Sequence, residues 1–320
     1  MRFSVIIPLY NKAPYVEKAI DSVFRQTLQD FELIVVDDGS TDSSATIARA
    51  CMDGHKNVSL LRQQNNGVSF ARNNGVVLTD APYLCFLDAD DWWEPTFLEE
   101  MGRLIDDFPD AGIYGTNYTI INETKRKTRV APIGLEDGFE KGYINYCKAY
   151  SAHLGMPLTS SSVCIKRTVF NEMGGFPEGI TLGEDFLLWI HVALKYKVAF
   201  LNKPLANYNQ DAAAAQRAVG HLHSPQKHML WNLQDLELSE KTNPDLKLLL
   251  DRLRTNVLMP YFLSSEYHEN AVTELSKVDW SQLPESARHN YDRPLWALRL
   301  KSGVYRILSR FKVFILRLFR

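Results

Sequence analysis

Three short apolar runs near the start of the chain each break off abruptly into polar residues, and this repetition constrains the fold more than any other feature. Ser4–Pro8 leads into Tyr10-Asn11, Phe31–Val36 into Asp37-Asp38-Gly39-Ser40, and Tyr83–Leu87 into Asp88-Ala89-Asp90-Asp91. Segments with helical spacing lie between them. Tyr15–Phe24 places Val16, Ala19, Ile20 and Val23 on one face, Asp42–Met52 carries Asp42 or Ser43 as a cap, and Val68–Val77 and Pro95–Phe108 complete the set. With Val58–Arg62 as a further strand, the β-α-β-α-β order predicts an α/β fold, a parallel sheet with helices on both faces. Ile113–Ile121 and Ser162–Lys166 read as additional strands. Ligands of such sheets bind beyond the carboxyl ends of the strands, so the three polar clusters are expected to converge.

Past about Ala206 the strand patterns stop. Ala212–Leu222, Ser224–Leu238, Leu246–Ser265 and Ala271–Val278 read as helices. The expected organisation is a catalytic domain over 1–210 and a helical region over 211–320.

The composition, 45% hydrophobic and 23% charged over 320 residues, excludes a mostly disordered chain. A net charge of −2 gives no global sign of nucleic-acid binding. The four cysteines, Cys51, Cys85, Cys147 and Cys164, lack CxxC spacing and read as reduced, mostly buried thiols. No run reaches the ~18 apolar residues of a membrane span. The N-terminal run is too short for a signal peptide, and a cytoplasmic protein is expected.

Asp88, Asp90 and Asp91 repel one another and are costly to bury unpaired. A hard divalent ion relieves that cost, and Mg²⁺ or Mn²⁺ takes oxygen ligands and shares its shell with phosphates. A solvated acidic turn is the alternative, and the flanking Leu84–Leu87 and Trp92-Trp93 weigh against it. Asp38 beside Gly39 suits a ribose hydroxyl or a base N–H, or else a plain β-turn. Arg72, in the helix after Asn65-Asn66-Gly67, suits a base carbonyl or a phosphate, or else an ion pair. Glu184-Asp185 follows a glycine and opens an apolar helix. Acids are favoured there by the helix dipole, yet one carboxylate near a metal-diphosphate site is also what deprotonation of a hydroxyl requires. His221, His223 and His228 match a metal spacing only loosely.

Taken in order, SVIIPLYNK, LIVVDDGSTD, NNGVSFARNNG, CFLDADDWWEP and GEDFLLW resemble the inverting, nucleotide-sugar-dependent glycosyltransferases of family 2, of the bacterial polysaccharide and glycolipid type, over roughly residues 1–210. The resemblance implies the GT-A fold, Mn²⁺ or Mg²⁺, a nucleoside-diphosphate sugar donor and a glycan or lipid-linked saccharide acceptor. It implies that Pro8 and Tyr10 pack on the base and that Asp38 contacts base and ribose, with Arg72 near the base. Asp88-Ala89-Asp90 corresponds to the DxD motif, Asp90 being the stronger metal ligand, with Asp91 as a third acid. Asp185 corresponds to the catalytic base, with Glu184 beside it. The QxxRW motif of processive synthases is absent, and Gln216-Arg217 is only a faint likeness, which favours single-sugar addition. UDP is the expected carrier, with GDP and dTDP sugars open. Trp189 and Ser160–Ser162 read equally as acceptor contacts or as packing.

Two rival enzyme classes lack their loops. A nucleotidyltransferase wants a Gly-rich basic loop after the first strand and a dinucleotide oxidoreductase wants GxGxxG, but that position holds Leu9-Tyr10-Asn11-Lys12. A non-catalytic sugar-nucleotide-binding component of a polysaccharide-assembly complex stays open, against the intact acids. Finally, Arg293 to Arg320 carries eight basic and no acidic residues, leaving −10 on the rest of the chain. Within it, residues 294–320 form an amphipathic pattern with Val304, Ile307, Leu308, Phe311, Phe314, Ile315 and Leu318 on one stripe. Such helices lie on anionic membranes, so peripheral attachment at the cytoplasmic face of the inner membrane is expected; packing on the body or on a second subunit is the alternative.

Overall fold

The computed structural model describes residues 1–122, 127–211 and 222–300. The chain divides into two compact units, the first ending at Leu246 and the second starting at Lys247.

In the first unit the expected alternation is present, with boundaries moved by at most two residues. The elements run β1 (Phe3–Leu9), α1 (Val16–Phe24), β2 (Phe31–Asp37), α2 (Ser44–Met52), β3 (Val58–Arg62), α3 (Val68–Val77), β4 (Tyr83–Phe86), β5 (Trp92–Trp93) and α4 (Phe97–Asp107). They continue with β6 (Ala111–Asn122), β7 (Lys127–Val130), β8 (Lys141–Ile144), α5 (Tyr146–His153), β9 (Val163–Lys166), α6 (Arg167–Glu172), α7 (Glu184–Lys195) and β10 (Lys197–Asn209). Then come α8 (Glu237–Thr242) and α9 (Pro244–Val257), which runs into the second unit.

One ten-stranded sheet has the order β3-β2-β1-β4-β9-β6-β10-β5, with β7 on β6 and β8 on β10. The half from β3 to β4 is parallel, as the alternation predicts. Beyond β4 the sheet is mixed, because β9 runs antiparallel to both β4 and β6. Strand β1 is central, and all seven of its residues are buried, as a strand covered on both faces requires. Helix α3 lies close on this strand: a Cβ at Gly75 would stand 2.5 Å from Ile6 Cγ2, so only glycine fits.

Register fixes the site. Leu9 lies opposite Asp37, so β1 and β2 end together, and Ile6 lies opposite Phe86, so β4 stops three residues earlier on the same edge. The Asp38 N–H donates to the Leu9 carbonyl at 2.8 Å and that of Leu87 to Ile6 at 3.0 Å, aligning the polar turns that follow.

The sequence reading assigned none of β5, β7, β8, α5 and α6, and three further segments differ from it for identifiable reasons. β10 was not foreseen, because Lys203-Pro204 interrupts its apolar pattern; register shifts against β6 fall at that interruption. Ser224–Leu238, expected to be one helix, is instead a series of short 3-10 turns at Pro225–Lys227, Met229–Trp231 and Gln234–Leu236. There the Met229 N–H donates to the Leu182 carbonyl and the His228 ring accepts from the Leu230 N–H, diverting donors a helix would use. Leu246–Ser265 breaks between α9 and α10 (Met259–Leu263), where Pro260 has no N–H to continue the ladder.

The second unit continues with α11 (His268–Leu275) and α12 (Glu285–His289). Leu249, Leu250, Leu253, Ala271 and Leu275 are buried in it, with a fully buried Asp251 beside Arg254 and Glu274. Residues 295–300 are helical. The rest of the expected basic helix, 301–320, and the expected helix over 212–221 lie outside the described residues, as does Gln216-Arg217. Among the described residues no helix is long and apolar enough to cross a membrane.

Candidate active site

The turn after β1 is clamped to the turn after β2. Asn11 adopts left-handed backbone (φ 51), and its side-chain oxygen accepts from the Thr41 N–H at 2.8 Å. The Lys12 N–H donates to Ser44 Oγ at 2.7 Å. Pro8 is buried inside β1, while Tyr10 is 45% exposed, an open ring at the strand ends. Asp38 is buried and accepts from Gln63 Nε2 (2.8 Å), the Asn66 N–H (2.9 Å) and the Gly67 N–H (2.8 Å). Its carboxylate therefore fastens the loop that starts α3.

The acidic turn after β4 is divided between buried and open carboxylates. Asp91 is buried; it accepts from Ser161 Oγ at 2.6 Å and from the Asn209 N–H at 2.8 Å. Burial, and then the Asp90 and Asp88 charges, hold its carboxyl well above the usual range, while the Ser161 and Asn209 bonds oppose the rise. Ala89 is buried, so the turn presents Asp88 and Asp90. Lys12 Nζ lies 2.7 Å from Asp90 Oδ2, and Arg72 Nη2 lies 2.7 Å from Asp88 Oδ1.

Arg72 is 2% exposed. Besides Asp88 it meets Glu184 Oε1 at 2.9 Å through Nη1, with its guanidinium 4.9 Å from the Phe176 ring centre. Burial alone would lower its pKa; Asp88, Glu184 and Asp185 more than offset this and raise it. The buried guanidinium thus joins the acidic turn to the start of α7.

That start is shaped by Gly183, at φ +85, where a Cβ would stand 2.6 Å from Met229 Cγ and Sδ. Asp185 follows in the first turn of α7, partly exposed, with Oδ1 accepting from the Phe186 N–H at 2.9 Å and Oδ2 accepting from Ser160 Oγ at 3.2 Å. Burial pushes its carboxyl up to about 7; the Glu184 charge adds to the rise, Arg72 opposes it, and Asp88 adds further. Burial raises Glu184 as well, against the pull of Arg72.

The structure thus gathers Asp88, Arg72, Glu184 and Asp185 into one linked set, with Asp90, Asp91 and Lys12 beside it. Trp189 does not join them at a surface; it is fully buried, edge-on to Phe176. Two contributors escaped the sequence reading: Lys12 carried one signal, a lone cation after β1, and Asn209 carried none. Ser160–Ser162, read equally as acceptor contacts or as packing, bonds to Asp91 and Asp185.

His191 and His228 lie apart in separate hydrogen bonds, and His221 lies outside the described residues. Among the described residues no group of three or more His, Cys, Asp or Glu gathers as a metal centre. Asp88 and Asp90 offer a two-carboxylate, hard-oxygen donor set. This fits Mg²⁺ or Mn²⁺ if phosphate oxygens and water complete the shell. The four cysteines are free, and three of them are buried.

Residues 4–172 match the family model described as Glycosyl transferase family 2. An uncharacterized glycosyltransferase of Rickettsia felis is 31% identical over 64% of this chain and 32% of its own length. Glycosyltransferase GlyA of Streptococcus pneumoniae serotype 4 is 32% identical over 65% of this chain and 30% of its own. This chain thus spans about a third of the length of these two relatives. Glycosyltransferase GlyG of the same organism is 27% identical over 85% of this chain and 91% of its own. Among solved structures, S. aureus TarS 1–349 in complex with UDP-GlcNAc superposes with a TM-score of 0.71 at 20% identity, covering 94% of this chain and 88% of that one. Mannosyltransferase PcManGT from Pyrobaculum calidifontis, in complex with GDP-Man and Mn²⁺, gives 0.56 at 18% identity over 98% and 82%. At these identities the two structures speak for the fold alone, the α/β sheet with its helical continuation. The match over more than half of the chain, on the residues that build the strand ends, makes this protein a member of glycosyl transferase family 2.

Proposed function

We propose that the chain transfers one sugar from a nucleoside-diphosphate sugar, UDP-linked, to a hydroxyl of a glycan or lipid-linked saccharide, with inversion at the anomeric carbon. The observation that carries this reading is the Arg72 bridge. It joins Asp88, in the acidic turn, to Glu184, whose neighbour Asp185 has its pKa raised to near neutrality. A base of that pKa accepts a proton efficiently at neutral pH.

In this reading Tyr10 stacks on the base, and Pro8 and Asp38 shape its pocket. Asp88 and Asp90 hold Mg²⁺ or Mn²⁺, which when bound neutralises the diphosphate. Asp185 takes the proton from the acceptor hydroxyl. That oxygen forms a bond to the anomeric carbon as the carbon–oxygen bond to the diphosphate breaks. The bonding pair leaves with the nucleoside diphosphate, and attack from the opposite face inverts the centre. Arg72 keeps the metal-side and base-side carboxylates at a fixed spacing, so donor and acceptor meet in line.

Residues 1–210 carry the catalysis. The basic sequence over 294–320 attaches the chain to the anionic cytoplasmic face of a membrane, where a lipid-linked acceptor is found. The test is a donor screen. Purified protein is incubated with Mn²⁺ or Mg²⁺ and each common nucleotide sugar, with and without lipid-linked acceptors, and nucleoside diphosphate release is followed. Metal-dependent release from one donor, lost in Asp90→Ala, supports transfer. Nucleotide binding with no release from any donor or acceptor would count for the non-catalytic component instead.

A further inference from the structure

The short turn before β9, Ser160–Ser162, is a 3-10 helix capped at Thr159, and its three hydroxyls are all buried. Each has a different task. Ser162 closes the turn on itself: its Oγ accepts from the Thr159 N–H at 3.0 Å, and its N–H donates to the Thr159 carbonyl at 3.0 Å. Ser161 serves the acidic turn: its Oγ donates to Asp91 Oδ2 at 2.6 Å and accepts from the Asp88 N–H at 3.1 Å, while its carbonyl accepts from Trp93 Nε1 at 2.6 Å. Ser160 Oγ points the other way and donates to Asp185 Oδ2. Successive side chains on a 3-10 turn diverge by about a third of a revolution, so neighbouring serines can reach two separate carboxylate clusters.

Among the described residues, the Asp185 carboxylate would otherwise be held only by the N–H of its own neighbour, Phe186. A hydroxyl donor on Oδ2 fixes the rotation of the carboxylate plane and stabilises its ionised form. Each oxygen keeps a lone-pair direction for an acceptor proton.

We propose that Ser160 is a positioning residue for the general base: it orients the Asp185 carboxylate, while the adjoining Ser161 fixes the metal-side turn, so one turn sets both halves of the site. The inference rests on the reading of Asp185 as the base.

Other groups face Asp185. Glu184, Arg72 and Asp88 set its charge environment. The phenols of Tyr118, Tyr146 and Tyr150 also interact with it, and burial raises all three above their usual range, so they stay neutral where Asp185 titrates. Glu184 and Asp185 titrate as a pair, and the acid limb of a rate profile belongs to both.

The test compares Ser160→Ala, Ser160→Thr and Asp185→Asn in the full chain, with the donor that the screen identifies. Turnover is measured from pH 5 to 9, and UDP binding with Mn²⁺ by calorimetry. Ser160→Ala is expected to lower kcat roughly 10- to 100-fold, as for loss of a hydrogen bond to a charged group. Its acid limb moves to higher pH, while the Kd for UDP stays within about twofold. Ser160→Thr, which keeps the hydroxyl, restores most of the turnover and the limb. Wild-type kcat and limb in Ser160→Ala, alongside an inactive Asp185→Asn, would overturn the role of Ser160 and leave the base reading standing. Loss of UDP binding together with turnover in Ser160→Ala would overturn it too, in favour of a purely structural turn. Full turnover in Asp185→Asn would remove the base itself, a separate failure.

Discussion

Lys12 Nζ stands 2.7 Å from Asp90 Oδ2, with only 15% and 16% of the two side chains exposed. An ammonium thus neutralises one of the two carboxylates that the acidic turn presents, and a divalent ion on Asp90 has to displace it. Lys12→Met is therefore expected to tighten Mn²⁺ binding in the absence of nucleotide by about three- to tenfold, the order of one partly buried ion pair. Titration followed by electron paramagnetic resonance reads this directly. Unchanged or weaker Mn²⁺ binding would show that Lys12 and the ion do not compete.

Arg72 is a costly cation to remove. Arg72→Ala leaves Asp88 and Glu184 facing each other without a counter-charge, and breaking a buried pair in this way costs about 3–5 kcal/mol. Thermal unfolding should show a large drop in Tm. Arg72→Lys is expected to recover only part of it, since one ammonium does not replace a fork that spans two carboxylates.

Asp185 gives a pH dependence of known sign. Its folded-state pKa is about 7, above the unfolded value of ~3.9, so the folded state binds the proton more tightly. The resulting stability is fully present below about pH 4 and is lost as pH rises through 7. Activity runs oppositely, because only the ionised form accepts a proton, so kcat should climb between about pH 6 and 8. Asp185→Asn should abolish transfer, and relative to wild type it should gain about 1–3 kcal/mol of stability from pH 5 to pH 8. Denaturant melts at the two pH values decide; equal differences at both would contradict the buried-base assignment.

Asp91 differs in kind from its neighbours. It is enclosed between Ser161 and the end of β10, and its carboxyl is held far above the usual range. Asp91→Asn should retain metal-dependent nucleotide binding and most of the stability. Asp91→Ala, which orphans the Asn209 N–H, should cost about 1–3 kcal/mol. Asp90→Asn should instead weaken Mn²⁺-dependent UDP binding, at a stability cost of about 1 kcal/mol from the lost Lys12 pair.

The C-terminal attachment is tested in the full chain by changing Arg306, Arg310 and Arg317 to Gln. Partitioning onto vesicles of phosphatidylglycerol and phosphatidylcholine, read by sedimentation, should fall roughly 100-fold, since each basic residue near an anionic surface contributes roughly 1 kcal/mol. Equal partitioning of the two proteins would remove the membrane role.

Much of this site was legible because its signals are local. An apolar run ending in Asp88-Ala89-Asp90-Asp91 announces both a strand and the acidic turn that ends it within a few residues, and α3 occupies the span Val68–Val77 that its periodicity marks. What escaped is non-local. Asp91 and Asn209 are 118 residues apart, Arg72 and Glu184 are 112 apart, and Lys12 and Asp90 are 78 apart. A motif shows that a carboxylate is present, but not which partner neutralises it. Arg72 illustrates the gap: its sequence position suggested a ligand contact, and the fold surrounds it with two acids and Phe176. The long strand β10 was hidden for another reason, since Lys203-Pro204 breaks the two-residue period while the backbone pairing resumes in a shifted register.

The reversed direction of β9 has an evolutionary consequence. Its neighbour β4 delivers its last residues to the ligand edge, whereas β9, running the other way, delivers its first, so the serine turn comes to that edge ahead of its strand. The connections after β1, β2 and β3 are already tied to one another, Asn11 and Ser44 joining the first two and Asp38 the second and third. The serine turn adds a further constraint, because a change there reaches Asp185 and the acidic turn in the same generation.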